Sequence, residues 1–440
     1  MINKNKFHFV GIKGSGMSAL AQVLHGMGYE VKGSDLNKHF FTQVPLEQKG
    51  IEITEFNTQN VNEDETVVIS RAFDETNPEV AQAFQYGNGQ FYFDFLGKFI
   101  NTFNTSIAIS GSHGKTSTTG LMSHVLSGVN PTSFLIGDGT GKGTPKSENF
   151  VFEACEYKNH FLSYYPDYAV VTNIDYDHPD FFKSKEDVVD SFQQFAKNVK
   201  KALIVYGGQK ETKELKTNAK VWTYGLTSDN DIYAENVSVS ENGTTFDVMV
   251  SDEKLVTLSI PSVGEHHILN SLAVASVVIL AGGELSSVVN RFATFGGVKR
   301  RFNETVVGDN VVIDDYAHHP TEIKATLQSI RLKYPNKKAV VLFQPHTYTR
   351  TKALFNEFVD SLEGFDTVFL ADIFGSAREK TDSMGISSQD IVEALENPSS
   401  YTVGEKLPNQ YYEFENSVLA FLGAGDVNKY KDEYLNKQRA

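Results

Sequence analysis

A single cysteine, Cys155, among 440 residues leaves no partner for an internal disulfide and excludes a thiolate-rich metal centre, as expected of a reducing cytoplasm. Long apolar runs are missing too. The longest, LAVASVVILAGG at 272–283, is too short to span a bilayer, and no leader-like segment precedes Phe7, so a cytoplasmic protein without membrane insertion is expected. Basic charge is in deficit: 55 acidic side chains against 40 basic ones give a formal charge of −15. That excludes a broad nucleic-acid or anionic-membrane surface, so anionic ligands must be gathered by local devices. Internal repeats and low-complexity segments are also absent.

What is present is enough chain for about three ordinary domains. The opening stretch HFVGIKGSGMSALAQVLHGMGYEVKGSDL reads as a strand from Phe7 to Ile12, a turn at Gly14, Ser15 and Gly16, then a helix with Met17, Leu20, Ala21 and Leu24 at helical spacing. A second strand, Glu30 to Ser34, leads to Asp35. This fits the G-x-G-x-x-A dinucleotide fingerprint, with Ala19 last and an acidic residue after the second strand. The physics is less specific than the pattern. Glycines let the backbone approach a pyrophosphate, and the helix start offers unpaired N–H groups to any diphosphate. NAD, another nucleotide diphosphate and a purely structural tight turn all remain open on this segment.

The strand TSIAIS at 105–110 runs into GSHGKTST and a helix. Strand, glycine turn and Gly-Lys-Thr at a helix start form the phosphate cradle of nucleotide triphosphate enzymes, here in a shortened G-x-x-G-K-T spacing. Lys115 would reach the β- and γ-phosphates and the Thr116 hydroxyl would hold Mg²⁺. Two later strands, in FVFEA and YAVVTNI, end with Glu153 and Glu156, then Asp175, Asp177, His178 and Asp180. In a parallel sheet these ends share the edge where ligands sit. Alternating polar and apolar stretches follow between 231 and 260, then the helical HILNSLAVASVVILAG.

A third segment begins near FGGVKRRFN and alternates VVIDDY, a helix from Thr321 to Tyr334, AVVLFQP, a helix from Lys352 and TVFLADIF. Lys299, Arg300 and Arg301 cluster as a local phosphate clamp or a solvated face. Adjacent His318 and His319 suit hydrogen bonding to a polar substrate better than sharing one metal. Cys155 reads as a small apolar filler beside Glu153. The fold class is α/β, three consecutive domains at 1–103, 104–296 and 297–440: Rossmann-like, P-loop ATPase-like and Rossmann-like.

Taken together, HFVGIKGSGMS, SGSHGKTST, EACEY, TNIDYDHPD, FGGVKRRF, DDYAHHPTEI and QPHTYTRT resemble the Mur ligase family over essentially the whole chain. The resemblance implies domains for a UDP-sugar, ATP and an amino acid in that order. The expected activity is ATP-dependent ligation of L-alanine to the lactoyl carboxylate of UDP-N-acetylmuramate, through an acyl phosphate, in peptidoglycan precursor synthesis. The alternative is another amino acid or a preformed peptide. By resemblance, Gly14, Ser15, Gly16 and Met17 contact the sugar nucleotide's pyrophosphate, with Asp35 facing the nucleoside and Ser70 nearby. Gly111, Ser112, His113, Gly114, Lys115, Thr116 and Ser117 hold ATP, joined by Asn270, Arg301 and Asp315. Thr116 and Glu153 hold one Mg²⁺ and His178 a second, with Mn²⁺ as a substitute. Tyr316, His318, His346 and Arg350 line the alanine site, and Lys115, His318 and Arg350 act in catalysis. A monomer or homodimer is expected. Three positions depart from the family pattern: His267 stands for an asparagine in GEHHILN, Thr347 for an arginine in QPHTYTRT, and Cys155 for a carboxylate in EACEYK.

Overall fold

The computed structural model describes residues 5–375, 379 and 384–439. Three sheets follow one another along the chain. The first contains five parallel strands in the order Glu52–Thr54, Glu30–Ser34, Lys6–Val10, Thr66–Ile69, Gly89–Phe91. Its central strand stops at Val10, two residues short of the apolar run, because Gly11 takes a left-handed φ of 83° and turns the chain out of the sheet. The helix Ser15–Gly26 then buries Met17 to Leu24 against it. The aromatic run FYFDFLGKFI divides into the edge strand Gly89–Phe91 and the helix Tyr92–Phe99.

The second sheet has ten strands. At its centre Thr105–Ser110 lies parallel between Asn149–Glu153 and Tyr168–Val171. Their carboxyl ends therefore share one edge. The alternating stretch between 231 and 260 folds as the antiparallel strands Ile232–Ser240, Gly243–Val250 and Glu253–Ile260, with one face exposed as period-two alternation requires. The longest apolar run belongs to the helix Glu265–Leu280, buried from Asn270 to Val278 beneath this sheet. Among the described residues no helix is long and apolar enough to cross a membrane.

The third sheet has six strands in the order Asn303–Val307, Asn310–Asp315, Ser417–Leu422, Lys338–Phe343, Thr367–Ala371, Ser400–Val403, all parallel but the first. The helix predicted from Lys352 starts earlier, at Tyr348, because the Thr347 hydroxyl accepts from the Arg350 N–H and caps it. A further helix, Phe355–Leu362, follows directly.

Candidate active site

Two glycine loops lie at the carboxyl ends of their sheets. In the first, Asp35 Oδ2 accepts from the Lys13 N–H and Oδ1 from the Leu36 N–H, both at 2.7 Å. The carboxylate thus braces the turn itself. Lys13 Nζ bonds the carbonyls of Leu36 and Lys38, and the Thr42 hydroxyl bonds the Lys13 carbonyl, so residues 35–42 wrap the loop. The helix Ser15–Gly26 has no side-chain cap, which leaves its first-turn N–H groups to an outside acceptor. Met17 is 4% exposed and belongs to the core, so only its backbone faces the loop. Ser70 donates its N–H to the Val10 carbonyl and stands beside Gly11.

The second loop needs its glycines for separate reasons. A Cβ on Gly111 would come within 2.0 Å of the Thr172 hydroxyl, and Gly114 takes φ 81° immediately before the helix Lys115–Leu126. Asn173 Oδ1 accepts from the His113 N–H, and the Ser112 hydroxyl exchanges hydrogen bonds with the Asp175 backbone, stitching loop to neighbouring strand end. Asn270 Oδ1 stands 3.5 Å from where a Gly114 Cβ would lie, which brings it to the cradle. Ser117 follows in the first helical turn, whereas His267 packs its ring on His266, their centroids 4.1 Å apart.

Lys115 Nζ donates to the carbonyls of Gly111 and Ser112 and to both oxygens of the buried Glu156, at 3.2 and 2.9 Å. Burial would raise the Glu156 carboxyl, but Lys115 and His178 hold it below the usual range. His178 Nε2 lies 3.6 Å from Glu156, on a backbone with the unusual φ of 57°. Glu153 accepts the Gly137 N–H at 2.7 Å, and its burial raises its carboxyl against the pull of Lys115, Arg301 and the Thr116 hydroxyl. Thr116, Glu153 and His178 offer hydroxyl, carboxylate and imidazole donors beside a phosphate-shaped loop. That set fits a hard divalent cation bound together with triphosphate. Beside them Cys155 is inert: burial and Glu156 push its thiol to about 12.

The third segment roofs this edge. Arg301 Nη2 reaches the Thr116 hydroxyl at 3.3 Å, while Arg300 turns the other way and donates to the Gly423 carbonyl at 2.6 Å. Asp315 is buried and committed to the backbone N–H groups of Phe302 and Ala317; its carboxyl is pushed up to about 6 by that burial. His318 Nδ1 lies 3.1 Å from the Tyr316 carbonyl and 3.0 Å from Glu322, two acceptors that make Nδ1 the donor nitrogen and turn Nε2 away from them. Tyr316 and His346 rings flank His318 at 5.4 and 6.1 Å.

Three groups absent from the expected set hold the segments together. Glu322 faces both His318 and His113, the latter at 3.6 Å. Asp175 accepts from the Thr321 hydroxyl at 2.8 Å, and Asp177 from Arg350 Nε at 2.8 Å. All three lie in the stretches TNIDYDHPD and HHPTEI, but nothing in spacing pairs residues so far apart. His113, Asp175 and His319 also lie close enough to share a metal. However, His319 Nδ1 accepts the Thr321 N–H and Nε2 donates to the Tyr176 carbonyl, so both ring nitrogens are already used. This trio is a contact between the second and third segments.

His113 gives that contact a pH dependence. Burial would lower its imidazole, but Asp175 and Glu322 hold it at about 9, above its ordinary 6.5. A raised pKa stabilises most below the unfolded value and loses that contribution as pH climbs through the folded one. Denaturation midpoints of the native protein should therefore fall between about pH 6.5 and 9 more steeply than those of His113→Asn. Parallel slopes would remove His113 from the contact.

Comparison with known proteins adds three family matches: "Mur ligase family, catalytic domain" over residues 6–103, "Mur ligase middle domain" over 109–278, and "Mur ligase, glutamate ligase domain" over 300–421. Among solved structures, a UDP-N-acetylmuramate-alanine ligase from Thermotoga maritima is similar at 26% identity and TM-score 0.79, with 99% of each chain covered. A murein peptide ligase from Psychrobacter arcticus shares 20% identity at TM-score 0.68 over 98% of each chain. A MurF ligase from Thermotoga maritima in complex with ADP shares 16% at TM-score 0.66, covering 87% of this chain and 97% of the other.

Proposed function

The chain belongs to the Mur ligase family of ATP-dependent amide ligases, and from that premise we propose that it joins L-alanine to the lactoyl carboxylate of UDP-N-acetylmuramate. One observation carries the reading: a shortened phosphate loop with Glu153 beside Thr116, roofed by Arg301 and by the His318, Tyr316 and His346 cluster. In this reading residues 1–103 take the sugar nucleotide, 104–296 the ATP and 297–440 the amino acid. The likeness to the UDP-N-acetylmuramate-alanine ligase of Thermotoga maritima supports the choice of alanine.

A carboxylate does not acylate an amine in water, because its leaving group would be oxide. The lactoyl carboxylate therefore attacks the γ-phosphorus of ATP, releasing ADP and leaving an acyl phosphate. Lys115 swings its ammonium from Glu156 onto the transferring phosphoryl group, and the loop N–H groups with Arg301 absorb the developing charge. Magnesium bound at Thr116 and Glu153, with a second ion at His178, would supply further charge neutralisation. The neutral alanine amine then adds to the acyl carbon and phosphate departs. His318 Nε2 accepts or positions the amine proton, its ring fixed by the Nδ1 bonds to Tyr316 and Glu322. The docked third segment keeps water from the acyl phosphate.

The test is phosphate release from ATP in the presence of UDP-N-acetylmuramate, screened across amino acids and short peptides. Release of ADP and phosphate that depends on alanine is the expected result. Dependence on another amino acid or on a peptide would keep the phosphate chemistry and replace the third substrate; Thr347, standing where an arginine is usual, is the feature that makes the screen worth running. Release of AMP would overturn the acyl phosphate.

A further inference from the structure

One largely buried side chain brings a hydroxyl with no protein hydrogen bond to the surface beside the first loop. Tyr92 opens the helix Tyr92–Phe99, and its ring is packed in the core below both loops, edge-on to Phe93 at 5.0 Å. The residue is only 8% exposed. A Cβ placed on Gly16 would lie 2.9 Å from the Tyr92 hydroxyl and 3.0 Å from Cζ, so the phenol stands against the first turn of the helix Ser15–Gly26. On its other side Glu153 and Cys155 are near enough to act on it electrostatically.

A tyrosine whose ring is buried usually turns its hydroxyl to a polar partner at the edge of the core. Among the described residues the Tyr92 hydroxyl makes no hydrogen bond, and the small part of the residue left open lies at this oxygen, against the first turn of the helix Ser15–Gly26. The same turn leaves the N–H groups of Ser15, Gly16 and Met17 without a side-chain cap. Unpaired donors converge there from two elements. Burial, with the Glu153 carboxylate nearby, pushes the phenol pKa up, so this hydroxyl stays protonated and can donate to an anion.

We infer that the Tyr92 hydroxyl donates a hydrogen bond to the diphosphate of a nucleoside-diphosphate sugar, completing with the first-turn N–H groups of the helix Ser15–Gly26 a cradle that backbone alone would leave open. The inference rests on the proposed sugar-nucleotide reading of the first segment and adds to it a contact that comes from outside the glycine loop. It also gives Gly16 a second reason: any larger residue would strike the phenol before a phosphate could reach it. Tyr92 reads in the sequence as one member of an aromatic core run, and its ring does serve that core.

Calorimetric titration of the full chain and of Tyr92→Phe with UDP, UDP-N-acetylmuramate and MgATP tests it. The phenylalanine keeps the ring and removes only the hydroxyl. A hydrogen bond to a charged group is worth enough that Kd for UDP and for the sugar nucleotide should each rise about tenfold or more, with MgATP unchanged. KM for the sugar nucleotide should rise in parallel, and the unliganded melting temperature should not fall. Unchanged UDP affinity would overturn the inference. So would equal weakening of MgATP, the mark of a general distortion, or a loss confined to UDP-N-acetylmuramate with UDP intact, which would move the contact to the lactoyl end. If the native protein bound neither uridine ligand, the sugar-nucleotide reading itself would fall, and this inference with it.

Discussion

Lys115→Ala should stop ligation, lowering the rate by at least about three orders of magnitude, as loss of a charge dedicated to the transferring phosphoryl group does. It should also weaken the fold. From sequence alone the lysine has no core role, since it stands at a helix start beside a phosphate loop and would act as a point charge on ATP. The structure gives it a second partner: Glu156 is 1% exposed, and Lys115 Nζ lies 2.9 Å from its carboxylate. Removing one member of a buried pair strands the other, at a cost of about 3–5 kcal/mol, less whatever His178 at 3.6 Å makes good. The double variant Lys115→Ala, Glu156→Gln separates the two effects. Its denaturation midpoint should return most of the way to the native value while phosphate release stays absent. Activity within tenfold of native in the single variant would remove Lys115 from the chemistry, and an unchanged midpoint would mean that Glu156 simply takes up a proton.

The Lys115 example marks the boundary of what the sequence could disclose. Features that demand a residue type for local reasons were legible. Gly111 and Gly114 occupy backbone positions that a side chain would spoil, and the alternation between 231 and 260 admits little but exposed antiparallel strands. The common edge of Thr105–Ser110, Asn149–Glu153 and Tyr168–Val171 followed from their being parallel neighbours. Partnerships were not legible. Arg300 and Arg301 are adjacent and chemically identical, yet one faces the Gly423 carbonyl and the other Thr116, a division decided by backbone direction at φ 54° for Arg300. Glu322 occupies the third position of a helix opened by His319, where a capping carboxylate is ordinary. Its contact with His318 is local, four residues apart, but the one with His113 arises only when two sheets meet. Asp35 shows a structural task that the fingerprint does not announce: its carboxylate also braces the turn through the N–H groups of Lys13 and Leu36.

Arg350 is where partnership and role collide, and the expected result there is a loss of turnover larger than any loss of alanine binding. The resemblance assigns this residue to the amino-acid site, the more so because Thr347 replaces a neighbouring arginine. In the structure its guanidinium is 4% exposed, with Nε donating to Asp177 at 2.8 Å and Nη1 to the His346 carbonyl at 3.0 Å. Burial would raise the Asp177 carboxyl, yet Arg350 and the surrounding histidines hold it well below the usual range. Among the described residues Nη2 makes no hydrogen bond. The structure shows one task for the residue, tying the segment that follows the strand Tyr168–Val171 to the third segment; under the proposed function a second is expected of it, Nη2 meeting the amino-acid carboxylate. Arg350→Ala should remove both, stranding Asp177 between segments at about 3–5 kcal/mol and lowering kcat by roughly two to three orders of magnitude as the docked arrangement is depopulated. Asp177→Asn should remove only the tie, so kcat falls while KM for alanine changes little. Pairing the two, Asp177→Asn with Arg350→Met, removes the stranded charge. Melting temperature should recover, and KM for alanine should remain high because Nη2 is gone. A double variant that regained native alanine KM would confine Arg350 to the tie between segments and pass recognition of the alanine carboxylate to another donor at that site.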